Sequence, residues 1–564
     1  MRIWNKREEE AKFNPPEVIK KNFIPLSYMN DPSKRSVNIV GTNMERDSII
    51  VIGRKVQDKM ALKDEKKMEE YEEKKRISAL DVRVDYVIPA DINVDRQMEY
   101  VVITKESETV FHVNMVDREE GVTYLGRSEV MPFIFCNKNL EPTLFLQNGG
   151  ETTFVRVEMG RVEANSADAM FGALRKNHSS GFIDVTGNGV ADFVLDTEEG
   201  GKRYLEVWAN ENEGFSMRSR FEIPAHAGPV VFGDFTGSGS VDILYLTNDT
   251  KPAINIIPNR VITFGKKNLD GDAAKSPEDA GKSESSVYSA EDLIKYELKV
   301  EKGVQFVLYN ERGPVFPGVF DLDRNAYPDL LLVAENTDDK SNYVQVFINK
   351  AGKGFSPSVK IEYEGKIHTG SFYDTENGIS DVIIGVEGSS MSLLVAENIS
   401  DFSGYLLNIS SVKGERSEGS LSPPVIGTSY VCRIVETKRV IVGFYPPQSG
   451  YSPMQSPTTT IGLGKTTMFI GSFRTSVPSY VYSRSYVSDK IVPNSELLMY
   501  VQNKNIEPAV YLNPNTYWPV AIPIILTILL LFGMSSAYFA FKEIKKNRKN
   551  SKQMSKYNIH FDAL

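Results

Sequence analysis

Two cysteines, Cys136 and Cys432, are all that 564 residues hold, so no disulfide framework carries this fold and its stability must come from a buried core. Whether the two meet is open at this level. Histidine is nearly as scarce: His112, His178, His226, His368 and His560 complete the set, and none stands in a nucleophile or metal motif. GxSxG, HExxH and a phosphate-binding loop are also missing, which argues against an enzyme. A positive surplus is lacking as well; the net charge of -9 and pI near 5.4 give no basic surface, so nucleic acid is not an expected partner. The N-terminal MRIWNKREEEAKFNPPEVIKKNF, the polar segment 1–22 and its next residue, is charged and proline-broken, where a signal peptide would show about 7 to 15 apolar residues.

Long apolar runs are absent with one exception. Trp518 to Phe541, WPVAIPIILTILLLFGMSSAYFAF, holds 24 residues without a charge. A helix of that length spans about 36 Å against a hydrocarbon core of about 30 Å, so residues 517–541 are expected to cross a membrane. Lys542, Lys545, Lys546, Arg548, Lys549, Lys552 and Lys556 follow it, while Pro508 to Phe541 carries no charge. Basic flanks stay in the cytosol, so the tail 542–564 is expected inside and the preceding residues outside: a single-pass type I membrane protein of the plasma membrane or secretory pathway. The sequons at Asn177, Asn248, Asn398 and Asn408 are the expected glycosylation sites.

A repeat organises the exported part. DVTGNGVADFVL from Asp184 matches DFTGSGSVDILY from Asp234, and DLDRNAYPDLLL from Asp321 and DINVDRQMEYVV from Asp91 share the spacing. Degenerate copies begin at Asn30, Cys136 and Tyr373, making seven. Apolar, β-branched and aromatic runs flank each loop, which predicts short strands and a seven-bladed β-propeller over 23–399, an all-β fold. Two polar stretches, 58–76 and 266–292, read as solvated insertions. From 400 to 516 strand-like segments continue without the repeat, predicting a smaller β-rich membrane-proximal domain.

The loops carry oxygen at alternating positions, as calcium requires of a wrapping loop. The candidate ligands are Asp184, Thr186, Asn188, Val190 through its carbonyl, and Asp192; Asp234, Thr236, Ser238, Ser240 through its carbonyl, and Asp242; Asp321, Asp323, Asn325, Tyr327 through its carbonyl, and Asp329; and Asp91, Asn93, Asp95 and Glu99. A strand follows each loop, which separates it from an EF-hand. The competing reading is a metal-free Asx turn. With few charges per loop the sites are expected to be weak, structural Ca2+ sites suited to extracellular concentrations.

DVTGNGVAD, DFTGSGSVD and DLDRNAYPD resemble the FG-GAP repeats of integrin α-chain propellers. GFYPPQSGYSPMQSPTTTIGLGKTTMFIG from Gly443, IVPNSELLMYV from Ile491 and the terminal HFDAL from His560 resemble the T-cell immunomodulatory protein family, also called integrin-α FG-GAP repeat-containing protein 1 or Linkin. The resemblance implies a type I cell-surface glycoprotein that contributes to cell adhesion, meets a protein or glycan ligand outside, modulates T cells in animals when shed, and contacts RuvB-like ATPases and tubulin through its tail. A secretory-pathway component that assists folding or trafficking is the alternative expectation.

Overall fold

A computed structural model describes residues 11–31, 36–54, 71–78, 80–117, 121–167, 169–211, 214–261, 287–298, 303–374, 380–388, 390–400, 402, 404–414, 423–451, 456, 458–465, 470–479, 485–488, 491–502, 505–512 and 518–558. The N-terminal decapeptide, residues 58–70 and 266–286 of the two insertions, and the terminal HFDAL lie outside that set.

Short apolar runs separated by Gly, Asn and Asp turns give antiparallel meanders, and seven blades follow one another, each built on four strands, with Val304–Phe306 added as a fifth in blade 6. Blade 1 comprises Ile24–Asp31, Ser36–Thr42, Ile49–Arg54 and Tyr71–Ile77; blade 2 comprises Tyr86–Ala90, Glu99–Ser107, Val110–Val116 and Val122–Ser128. Blade 3 is Phe133–Cys136, Pro142–Asn148, Glu151–Glu158 and Arg161–Ser166; blade 4 is Gly181–Ile183, Asp192–Glu199, Lys202–Glu211 and Gly214–Ile223. Blade 5 takes Val231–Gly233, Asp242–Asn248, Pro252–Ile257 and Ile294–Glu297; blade 6 takes Gly318–Phe320, Asp329–Asn336, Asn342–Asn349 and Phe355–Glu362. Blade 7 is Lys366–Asp374, Ser380–Glu387 and Met391–Ala396, completed by the N-terminal strand Glu17–Lys21.

The second strand of each blade is apolar on both faces because a blade packs between two neighbours. Ile24 and Val40 of blade 1 share a core with Val102 of blade 2. Ile103 of blade 2, Phe133 of blade 3 and Phe193 of blade 4 form the next. Val207 then meets Ile243 of blade 5, Leu244 meets Leu330 of blade 6, and Leu331 meets Ile384 of blade 7. Ile383 and Leu393 of blade 7 return to Tyr28 and Ile39 of blade 1, so the cores run around a seven-bladed β-propeller.

Two boundaries differ from the sequence reading. Strand Glu17–Lys21 lies in the segment assigned to the polar N-terminus, and it pairs with Met391–Ala396, so the propeller begins before residue 23. Tyr71–Ile77 is a strand rather than insertion: YEEKKRI pairs with Ile49–Arg54 on the outer rim, where edge strands tolerate charge.

After blade 7 come two further four-stranded sheets. One orders Thr459–Gly464, Tyr405–Lys413, Ser495–Val501 and Ile506–Leu512; the other orders Val440–Phe444, Ser429–Ile434, Ile470–Ser476 and Ser485–Ser488. Leu407 and Leu497 of the first sheet share a core with Tyr430, Cys432 and Phe473 of the second, as in a β-sandwich. Cys136 is buried in the blade 3 core and Cys432 in this one; both thiols are free, and burial pushes Cys136 up to about 12.

The sandwich sends one segment into the ring. Gln448–Ser449 adds to the inner strand of blade 3 by pairing with Phe133 and Ile134. Pro447 lies against Gly181 of blade 4, and Gly450 against Met131 and Ile103, positions where a Cβ has no room. Tyr451, 7% exposed, sets its ring 6.0 Å from that of Tyr86 in an edge contact and donates its hydroxyl to the carbonyl of Lys176. This plug ties the sandwich to blades 2, 3 and 4. Tyr451→Ala is expected to cost about 2 kcal/mol, below the usual range for a buried aromatic because water can enter the cavity above it. It is also expected to expose 443–451 to limited proteolysis; cleavage no faster than in the unaltered chain would show that the plug holds nothing.

Residues Leu512–Leu564 form a separate unit. Its helix, Trp518–Asn558, runs past residue 541 without a break, and Ile522–Met554 is long and apolar enough to cross a membrane. Side chains such as Leu529, Leu530 and Phe532 are exposed around it, which suits a lipid solvent.

Candidate metal sites

Four acidic loops join the first and second strands of blades 2, 4, 5 and 6, and the strands pair identically at each: Ala90 with Glu99, Ile183 with Asp192, Gly233 with Asp242, Phe320 with Asp329. Inside the loops the hydrogen bonds repeat. The first carboxylate accepts the amide of the sixth residue, from Arg96 at 3.1 Å, Gly189 at 2.9 Å, Gly239 at 3.0 Å and Ala326 at 2.7 Å. The ninth accepts from the opening of the loop: Ile92 to Glu99, Thr186 to Asp192, Thr236 to Asp242 and Leu322 to Asp329.

Each loop turns through two left-handed residues, at its fourth and sixth positions. Glycine serves in two copies, Gly187 and Gly189, Gly237 and Gly239; elsewhere Val94 (φ 62°), Arg96 (φ 70°), Arg324 (φ 58°) and Ala326 (φ 71°) take the same shape. Such conformations cost about 1 to 3 kcal/mol each in a non-glycine residue, so the turn is imposed by the loop's hydrogen bonds and surroundings. Ala326 therefore replaces glycine without changing the geometry.

Two observations fit these residues to a cation. Asp184 Oδ1, Asp234 Oδ1 and Ser238 Oγ are buried without a hydrogen-bond partner, an expense that a coordinated cation removes. In the other two loops the carboxylate oxygens converge: those of Asp91, Asp95 and Glu99, and those of Asp321, Asp323 and Asp329, lie within 4.8 Å of one another. Burial first, and mutual repulsion second, push Glu99 up to about 8 and Asp329 well above the carboxylate range. Burial, then Asp184, does the same to Asp192 at about 8; burial, then Asp242, raises Asp234 to about 7. Asp91, Asp184 and Asp242 reach about 6, burial again the main cause.

Several candidate ligands also hold the loops together by hydrogen bonds. Thr186 and Thr236 give their hydroxyls to Asp192 and Asp242, at 2.9 and 2.8 Å. Asn188 and Asn325 accept the amides of Val190 and Tyr327 at 2.7 Å. Asn93 accepts from Asp95 at 3.0 Å. The ninth carboxylate also serves the blade: its second oxygen accepts the amide of an asparagine at the end of the third strand or just past it, Asn210, Asn259 or Asn349, and in blade 7 Asp381 does so with Asn398. Each asparagine returns its side-chain amide to the carbonyl before the ninth position, that of Ala191, Val241, Pro328 or Ser380. Sequence reasoning missed this residue, although its spacing of 17 to 20 after the acid recurs.

The same pairing bears on the sequons. Asn398 is 8% exposed with both ends of its amide engaged, and Asn248 brackets the backbone of Phe306 at 2.7 and 3.0 Å. A glycan on either would break those bonds. Asn177 and Asn408 are half-buried and accept from Tyr451 and Thr460 through Oδ1.

The sandwich covers these loops. Ser429 donates to Asp184 Oδ2 at 3.3 Å; Gly462 backs onto Asp321, where a Cβ would collide with the carboxylate. Arg439 donates to the carbonyls of Asn325 and Ala326 at 3.2 and 2.7 Å, its guanidinium 3.5 Å from the centroid of the Tyr327 ring. The loops of blades 4, 5 and 6 thus form a joint between propeller and sandwich, which the sequence had not indicated.

The family described as "ITFG1, C2 domain" matches residues 422–509, within the sandwich. A "T-cell immunomodulatory protein homolog" of Plasmodium yoelii yoelii is 24% identical over 389 residues, covering 57% of this chain and 54% of that protein, so this chain spans about half of its length. The homolog of Plasmodium falciparum (isolate 3D7) is 22% identical over 566 aligned residues, 84% of this chain and 76% of that protein. Among solved structures, a functionally unknown protein from Desulfotomaculum acetoxidans DSM 771 aligns at 11% identity over 61% of this chain and 90% of the other, with a TM-score of 0.34, too slight to add to the fold. The matched sandwich and the two Plasmodium relatives support the T-cell immunomodulatory protein (ITFG1) family for this chain.

Proposed function

We propose that the chain is a type I single-pass membrane glycoprotein whose propeller and sandwich, stiffened by structural calcium in the acidic loops, bind a protein or glycan outside the cytosol in cell adhesion or surface signalling. The observation that carries this reading is the helix Trp518–Asn558: apolar in its first half, with side chains exposed from Ile522 onward, and crowded with lysine and arginine in its second. Calcium would be held by the first carboxylates Asp91, Asp184, Asp234 and Asp321, with Asp95, Ser238 and Asp323 beside them. It would neutralise buried charge; no chemistry is asked of it. A rigid ring presenting loops is suited to binding, and the family resemblance extends that to contacts of the tail with RuvB-like ATPases and tubulin.

Protease protection on intact cells expressing the chain with a tag at each end tests the topology. The N-terminal tag is expected to be digested from outside and the C-terminal tag only after permeabilisation. Digestion of the C-terminal tag in intact cells would overturn the orientation, and protection of both tags in intact cells would move the chain to internal membranes.

A further inference from the structure

In an antiparallel blade successive turns alternate between the two ends of the strands. The acidic loops join first to second strands and occupy one face of the propeller. The opposite face is built from second-to-third turns and the connections between blades, and there a cavity of about 260 Å3 opens among blades 1, 2 and 7 and the connection that leads into blade 6, with Tyr451 of the plug in its lining. Its size is at the lower end for a small-molecule pocket.

The lining is unbalanced in charge. Arg46, Arg83, Lys105 and Arg312 face it, against Asp85 and Glu311. Asp85 already serves two guanidinium groups, Arg46 and, at 3.1 Å, Arg83, and its other oxygen accepts the amide of Lys105 at 2.9 Å. Glu311 is taken by Lys366 at 2.9 Å. Among the described residues no carboxylate lies within ion-pairing distance of the Arg312 guanidinium or of Lys105 Nζ. Burial first, and Arg46 second, push Arg312 below the ordinary arginine range, the response of a cation held without a counter-ion. Between the charges stand apolar surfaces, Leu26, Pro314, Phe316 and Met391.

We propose that this cavity binds a small organic anion, an oxyanion group carried on an apolar body, with Arg312 and Lys105 supplying the charge and Phe316 and Met391 the apolar contact. A guanidinium with unused donors is suited to two oxygens of a carboxylate or phosphate. The inference stands apart from adhesion and from calcium, because none of its residues belongs to an acidic loop.

Isothermal titration of the full chain in lipid nanodiscs with phenyl phosphate, benzoate and benzyl alcohol tests it. The expected result is saturable binding of at least one of the two anions and none of the neutral alcohol; which anion binds tells phosphate from carboxylate. Arg312→Gln should weaken that binding about tenfold. Lys105→Gln, at the rim, should weaken it about threefold with a reduced salt dependence, and decides alone if the arginine variant does not fold. Absence of saturation by either anion up to about 10 mM, binding of benzyl alcohol as tight as that of the anions, or binding unchanged in the variants would overturn the proposal.

Discussion

Arg203→Leu is expected to destabilise the folded chain by about 3 to 5 kcal/mol, because it leaves Asp196 as a buried charge without its partner. Arg203 and Asp196 are 1% and 0% exposed, and their contact is bidentate: Nε to Oδ1 and Nη2 to Oδ2, both at 2.8 Å. The groups around the pair are engaged as well. Arg203 Nη1 reaches the carbonyls of Ala227 and Gly228 on the way to blade 5, and Asp196 Oδ2 accepts the amide and hydroxyl of Ser179 at 3.0 Å. Burial alone would raise the Asp196 carboxyl, but the Arg203 charge and hydrogen bonds outweigh it and hold it below its ordinary range. A depressed carboxyl stabilises above its unfolded value and loses that contribution as pH falls through the folded one, so the pair is intact at neutral pH and fails only in acid. The double variant Asp196→Val, Arg203→Leu should be far milder than the sum of the singles, since no charge is then left unpaired. Denaturant unfolding checks this; a loss below about 1 kcal/mol for Arg203→Leu, or additive losses, would show that the pair contributes little.

The propeller was legible because one constraint recurs. Each blade needs an apolar second strand entered from a tight acidic turn, and FVLDT after Asp192, ILYLT after Asp242 and LLLVA after Asp329 repeat that demand at a readable period. The N-terminal strand was not legible: EVIKK has no turn motif and is defined only by Met391–Ala396, more than 370 residues away. Tyr71–Ile77 was hidden for a related reason, since a rim strand buries only one edge and YEEKKRI reads as a charged coil until its partner is known. Local pattern reports what a segment buries against itself and its neighbours in sequence. It is silent about pairing across the ring.

The candidate ligands divide the same way. Alternating oxygens at Asp184, Asp234 and Asp321 are a local pattern and were found as such. What the loops face is not local: Ser429, Arg439 and Gly462 lie at least 113 residues beyond the carboxylates and carbonyls they touch. The block GFYPPQSGY, singled out by resemblance alone, acquires a physical role only when Gln448–Ser449 and Tyr451 are seen inside the ring. The stiffening proposed for the loops would therefore act in the joint with the sandwich as well as within the blades.

If the proposed calcium sits in that joint, its removal is the perturbation with the widest reach, and the sign of the pH dependence is fixed by the raised carboxyls. In metal-free loops Asp91, Asp184 and Asp242 stand at about 6, Asp234 at about 7, and Asp192 and Glu99 at about 8. These six groups then hold more protons in the folded chain than in the unfolded one from about pH 4 to pH 8, so their contribution to stability declines as pH rises across that window. In the proposed sites calcium would supply the positive charge that those protons otherwise supply. The chain in chelator is therefore expected to melt about 5 °C lower at pH 8 than at pH 5.5, and millimolar calcium should shrink the difference to within about 2 °C. Because Arg439 and Ser429 rest on the loops, the sandwich should become protease-sensitive together with the propeller in chelator at pH 8. Melting curves that coincide with and without calcium at pH 8, or a chelated chain more stable at pH 8 than at pH 5.5, would leave the acidic loops as hydrogen-bonded turns and nothing more.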